Sequence, residues 1–142
     1  DYAAEVVLQA QARAVAENGN GDAIERMRVG TLTFLTALSD YPEYAQTLLV
    51  EIIGAGPNAA QRRDEIMQRF ADALVAENAA AAERGLIGAF ASPLDAYAIV
   101  GAVTELASRQ VRLGEPANVL ELAPVIDRLI LGVLAPAGAR RE

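Results

Sequence analysis

Val29-Gly30-Thr31-Leu32-Thr33-Phe34-Leu35-Thr36-Ala37-Leu38-Ser39 contains no charged residue. Upstream, Asp22 and Glu25 stand at the reciprocal spacing of a capping box, so the run belongs to a helix expected over about 22–39. A helix apolar on every side is stable only when neighbours surround it. This segment is therefore expected at the centre of a helical bundle, and the remaining segments are expected to enclose it.

Turn signals divide the chain into six helical blocks, at about 1–18, 22–39, 40–54, 58–84, 93–113 and 118–135. Asn18-Gly19-Asn20-Gly21 separates the first two. Ser39-Asp40-Tyr41-Pro42-Glu43 offers Asp40 as a cap with Pro42 in the first turn, and Asn58 with Gln61 repeats the capping-box spacing after Gly54-Ala55-Gly56-Pro57. Ser92 caps the fifth block, with Pro93 at its first position, where a missing N–H costs nothing. Gly85 and Gly114 read as left-handed terminators. Pro124 implies either a kink in the last block or a restart with Pro124 at its first position. Alternating strand patterns are absent, and the 30 alanines favour helix.

Length and composition describe one domain over residues 1–142. With no Cys and no His, disulfides, thiolate nucleophiles, zinc knuckles and the commonest general base are excluded. Glu51 and Glu105 could in principle form a carboxylate pair, but helical di-metal sites use Glu-x-x-His. Gly54-x-Gly56 lacks the third glycine and the preceding strand of a phosphate cradle. The expectation is a protein that is not an enzyme, with no cofactor and no metal. All 12 basic residues are Arg, and the net charge of -7 should repel nucleic acid. No apolar stretch reaches the roughly 20 residues of a membrane span, and no signal peptide is visible, so a cytoplasmic location is expected. Arg-only basic usage with abundant Ala suggests a GC-rich bacterial genome. The opening Asp1-Tyr2-Ala3-Ala4-Glu5-Val6 reads as helix interior, which suggests a piece of a longer protein.

The fourth block has one apolar stripe, Ile66, Met67, Phe70, Leu74 and Ala81, opposite Arg63, Glu65, Arg69, Asp72 and Glu77, so it forms a wall of the core. At 1.5 Å per residue it is about 40 Å long. The last two blocks are too apolar for one-sided packing. In the final one, Leu122, Ile126, Leu129 and Val133 fall on one side, and Leu120, Val125, Leu131 and Leu134 toward the other. One side can close the core, whereas the second would leave a patch that normally marks an interface. The fold class expected is all-α, a six-helix orthogonal and antiparallel bundle whose last two helices form a four-helix seam with a two-fold partner. Ala98, Gly101 and Ala102 would permit close helix approach.

Order and local strings together resemble the ligand-binding and dimerisation domain of tetracycline-repressor-like (TetR) regulators. Ser39-Asp40-Tyr41-Pro42-Glu43-Tyr44-Ala45 with Leu48-Leu49 and Glu51 is similar to the helix after the central one in that family. Val100-Gly101-Ala102-Val103-Thr104-Glu105-Leu106 resembles its first dimerisation helix, and Ile126 to Leu134 its second. The resemblance implies the C-terminal regulatory half of a bacterial regulator. Such a domain binds a small effector, forms a homodimer and reaches DNA only through an N-terminal helix-turn-helix head, which is absent from this sequence. The first block would link head to body. The seam would use Val100, Val103, Thr104, Ala107 and Val111 from the fifth block, and Leu122, Ile126, Leu129, Ile130 and Val133 from the sixth. A helical homodimeric binding or scaffold module is the alternative.

A pocket in such a bundle would lie between the central helix and its walls. Thr31, Phe34, Leu35 and Leu38 face it by helical spacing, with Tyr44, Leu48, Glu51 and Ile52 from the next block. Met67, Phe70, Leu74 and Asn78 supply the wall and Tyr97 a cap. The set suits a small hydrophobic effector with one or two polar groups. Ordinary packing also explains Phe34, Leu35, Phe70 and Leu74. Thr31, Thr33 and Thr36 can bond back to carbonyls four residues earlier. Glu51 can form a structural pair with an Arg such as Arg28 or Arg109, and Glu105 can set dimer register.

Overall fold

A computed structural model describes residues 2–17, 23–41, 43, 56–85, 88–115 and 120–134. Among these residues the chain is all-helical, in five helices: α1 (Tyr2–Glu17), α2 (Ala23–Asp40), α3 (Pro57–Glu83), α4 (Pro93–Arg112) and α5 (Ala123–Val133). The expected block at 40–54 lies outside the described residues apart from its first positions.

Local chemistry sets the ends. Ser92 accepts from the Leu94 N–H at 3.1 Å, so the cap expected to start α4 is formed, and Asp95 accepts from the Ser92 N–H at 3.3 Å to complete a capping box. Gly85 and Gly114 take φ of +72° and +75° and terminate α3 and α4. Two starts differ from expectation. α3 begins at Pro57 with Gly56 as its cap at φ +94°, and Asn58 and Gln61 lie inside the helix. A residue before proline is driven out of the α region, so the break falls at Gly56. The last helix begins at Ala123 instead of about 118, after a short 3₁₀ turn over 120–122. Pro124 therefore restarts the helix in its first turn, where it disrupts no hydrogen bond.

The helices form two antiparallel hairpins. In the first, α2 packs along α1. The Gln11 side chain donates to the Gly30 carbonyl at 2.9 Å, and a Cβ on Gly30 would lie 3.8 Å from Val15. In the second, α4 returns along α3. Asn78, 3% exposed, donates to the Gly88 carbonyl and accepts from the Phe90 N–H, both at 3.0 Å. This fixes the connecting segment to the wall helix. Further along, the Met67 methyl lies over Gly101.

α5 packs on both α2 and α4 and so ties the hairpins together. Its buried stripe is Leu122, Ile126, Ile130 and Leu134, at intervals of four residues. Asp127 pairs with Arg28 of α2 at 3.0 Å. The hairpins also meet directly between α2 and α3, through Phe34 edge-on to Phe70 with ring centroids 5.4 Å apart.

The central helix is less enclosed than its composition suggests. Met27, Phe34, Leu35 and Leu38 are buried, but Leu32 is 38% exposed and Thr36 also faces outward. Thr33 bonds back to the Val29 carbonyl at 2.8 Å, the expected self-satisfaction of a helical hydroxyl.

Ile126, fully buried where α5 joins the hairpins, carries the first prediction. Ile126→Ala should lower the unfolding free energy in urea by about 2–5 kcal/mol. Gly101→Ala should raise it by about 0.5–1 kcal/mol, because the added methyl meets Met67 at ordinary contact distance, 3.7 Å.

Candidate functional site

α1 and α3 flank a gap that neither hairpin fills, and this gap is a cavity of about 390 Å³. All five described helices contribute to its wall. Leu8, Gln11, Ala12, Val15 and Ala16 come from α1, and Arg26, Met27, Gly30, Thr31 and Phe34 from α2. From α3, the side chains between Arg63 and Glu77 at helical spacing face it, among them Ile66, Met67, Phe70, Ala73 and Leu74. Ile99, Val100, Val103 and Thr104 of α4 close the far side, with Ile126 and Ile130 of α5. Ala12, Ala16 and Ala73 are exposed and form the rim, so the cavity opens between α1 and α3.

Its walls are apolar with a few polar groups. Arg26 and Glu77 join α2 to α3 at one end, with Arg26 Nε 2.9 Å from Glu77 Oε1. The hydrogen bond between them runs from Arg26 Nη2 to Glu77 Oε2 at 3.5 Å, while the buried Nε–H makes none. On the outside, Glu5 of α1 pairs with Arg69 of α3. This is the described ion pair that bridges the two sides of the mouth. Its hydrogen bond from Arg69, helped by one from Gln9, holds the Glu5 carboxyl below its ordinary value.

Some residues expected at the site line the cavity and others do not. Thr31, Phe34, Met67, Phe70 and Leu74 line it. Leu35 and Leu38 are buried in the core outside its wall, and the Asn78 amide is committed to the 88–90 segment. Tyr97 stands outside the cavity wall and donates its hydroxyl to Asp64 at 2.6 Å, which pushes the phenol upward. Tyr44, Leu48, Glu51 and Ile52 lie outside the described residues.

The positions expected in a dimer seam divide in the single chain. Thr104, Ala107, Leu122, Ile126 and Ile130 are buried within it, Val100, Val103, Val111 and Val133 are half-buried, and Leu129 is exposed. Leu120, in the turn before α5, and Leu129 and Leu131, on opposite flanks of its buried stripe, are exposed. Glu105 is exposed and pairs with Arg112 at 3.0 Å. Arg28, expected as a partner for Glu51, is engaged by Asp127 and Glu25; Arg109 is exposed.

Sequence reasoning missed the α1 wall. Leu8 and Val15, seven residues apart with Gln11 and Ala12 between them, are the signal, since this spacing puts them on one helix face. Among the described residues, no group of three or more acidic, Cys or His side chains could hold a metal ion, and no helix is long and apolar enough to cross a membrane. No family model, curated protein or solved structure matches the chain.

The Glu5–Arg69 bridge yields a pH prediction. A depressed folded-state value means the pair stabilises the protein above the carboxyl's ordinary 4.5 and that this contribution is lost as pH falls through the lower folded value. In urea titrations, the stability difference between wild type and Glu5→Gln should therefore be present at neutral pH and shrink on acidification below 4.5. An unchanged difference would mean the carboxylate contributes nothing across the mouth.

Proposed function

We propose that this chain is a ligand-responsive regulatory domain of the TetR type, binding a small apolar effector between its two hairpins and acting as a homodimer. The cavity carries this reading. The cavity of about 390 Å³ opens to solvent and its walls are largely apolar. Filled with water, it would leave apolar walls hydrated. An apolar occupant removes that cost, and the volume falls in the usual range of small-molecule sites.

α1 supports the regulatory part. In the TetR-like arrangement it is the helix that connects the body to a DNA-reading head, and here its Leu8, Gln11, Ala12, Val15 and Ala16 line the cavity. An occupant would bear on that helix directly. Ligand binding would then shift DNA affinity by its differential affinity for two positions of α1. The dimer is supported by α5, whose inner stripe is consumed by the core while Leu120, Leu129 and Leu131 remain 42%, 36% and 45% exposed. A second α4–α5 pair would cover them in a four-helix seam. The intact regulator would work in the cytoplasm, where its operator is found.

Two measurements test this reading. Thermal melting against a panel of apolar small molecules should show midpoints rising with concentration, since a ligand that binds only the folded form stabilises it. Sedimentation at micromolar concentration should show particles of twice the 15.0 kDa chain mass. Dimers without any ligand effect would leave a helical scaffold module. Particles of 15.0 kDa alone would remove the seam.

A further inference from the structure

Thr104 lines the cavity from α4 and is 7% exposed. A threonine buried on a helix ordinarily bonds back to the carbonyl four residues earlier, as Thr33 does to Val29 at 2.8 Å. The Thr104 hydroxyl makes no such bond and has no other partner among the described residues. Its neighbours on the wall, Ile99, Val100 and Val103 of the same helix, are apolar and offer none. A hydroxyl taken from water and left unpaired is costly, and open space for a partner lies in the cavity.

The other polar groups of the wall are satisfied or wet. Arg26 and Glu77 neutralise each other, and the Gln11 side chain donates to the Gly30 carbonyl. The charge of Arg63 is felt at the Tyr97 hydroxyl, which stands outside the wall on Asp64. Thr31 also has a hydroxyl without a partner, but it is half-buried and water reaches it. Thr104 is thus the wall residue whose unmet hydrogen bond an occupant would complete.

Accepting that the cavity is a ligand site, we propose that its occupant is a neutral hydrocarbon with one oxygen function, an alcohol or a ketone, hydrogen-bonded to the Thr104 hydroxyl. That hydroxyl can donate to a carbonyl or accept from an alcohol. It brings no charge to balance an ionised group, which would lose its hydration among the apolar side chains around it. The net charge of -7 further opposes an anion at long range.

Isothermal titration calorimetry of the full chain with 1-phenylethanol, acetophenone, cumene and benzoate, all of similar shape, tests this at neutral pH. Thr104→Val keeps the outline of the side chain and removes the hydroxyl. It should weaken 1-phenylethanol and acetophenone about three- to tenfold and leave cumene unchanged. Thr104→Ser should keep wild-type affinity for both oxygenated compounds, and Thr31→Val should alter none of the four. Benzoate should bind at least about tenfold more weakly than acetophenone. If circular dichroism shows Thr104→Val unfolded, Thr104→Ala decides in its place, read against cumene. Oxygenated compounds that lose no more than cumene, an equal loss in Thr31→Val, or benzoate bound more tightly than acetophenone overturns the proposal. In each of these cases binding of cumene leaves the apolar site standing. If none of the four binds, the reading of the cavity as a ligand site fails, and the proposal with it.

Discussion

The structure depends on one geometric constraint: two helical hairpins are held together by α5 along one side and by α2 against α3, but not by α1 against α3. Ile126 and Ile130 project inward from α5 and close the bundle. Phe34 against Phe70 closes it between α2 and α3. At α1, the described bridge is the exposed Glu5–Arg69 pair, and exposed pairs contribute little to stability. The cavity persists because the elements around it are anchored elsewhere. Asn78 illustrates the point, since its amide is spent on positioning the segment that leads into α4 and contributes nothing to the cavity wall.

Much of this was legible in the sequence because helix limits are local. Ser92 stands just before Pro93, and the cap this pair predicts forms without help from the rest of the fold. Gly85 and Gly114 mark helix ends for the same reason. Where two local signals competed, the stiffer one prevailed: Pro57 set the start of α3 although Asn58 and Gln61 offered a better side-chain cap. Pro124 did the same for α5, and the 3₁₀ turn over 120–122 absorbs the difference. The face of the wall helix was legible too, since Ile66, Met67, Phe70 and Leu74 repeat with the helical period.

The site was less legible, because a cavity is defined by what several helices leave unfilled. Thr31, Phe34, Met67, Phe70 and Leu74 could be placed on inward faces, but nothing local distinguishes a side chain that lines a gap from one such as Leu35 that fills the core. The α1 contribution was hidden because that helix reads as a linker, and its Ala12 and Ala16 carry too little apolar surface to announce a wall. The small side chains are what keep the gap open.

α5 joins the two halves of the functional reading. An α-helix with its side chains is about 10–12 Å across, so the residues on its two faces belong to one rigid body. Ile126 and Ile130 line the cavity from its inner face, and Leu129 and Leu131 stand exposed on the two flanks of that face, where the proposed partner would pack. Arg28 pairs with Asp127 and links the same helix to α2. An occupant that displaced Ile130 could not leave Leu131 where it was, since adjacent residues of one helix move together. In the proposed dimer, a ligand would therefore meet the subunit interface through a single element, and α1 through a direct contact. Coupling between effector and quaternary arrangement needs no longer path through the core.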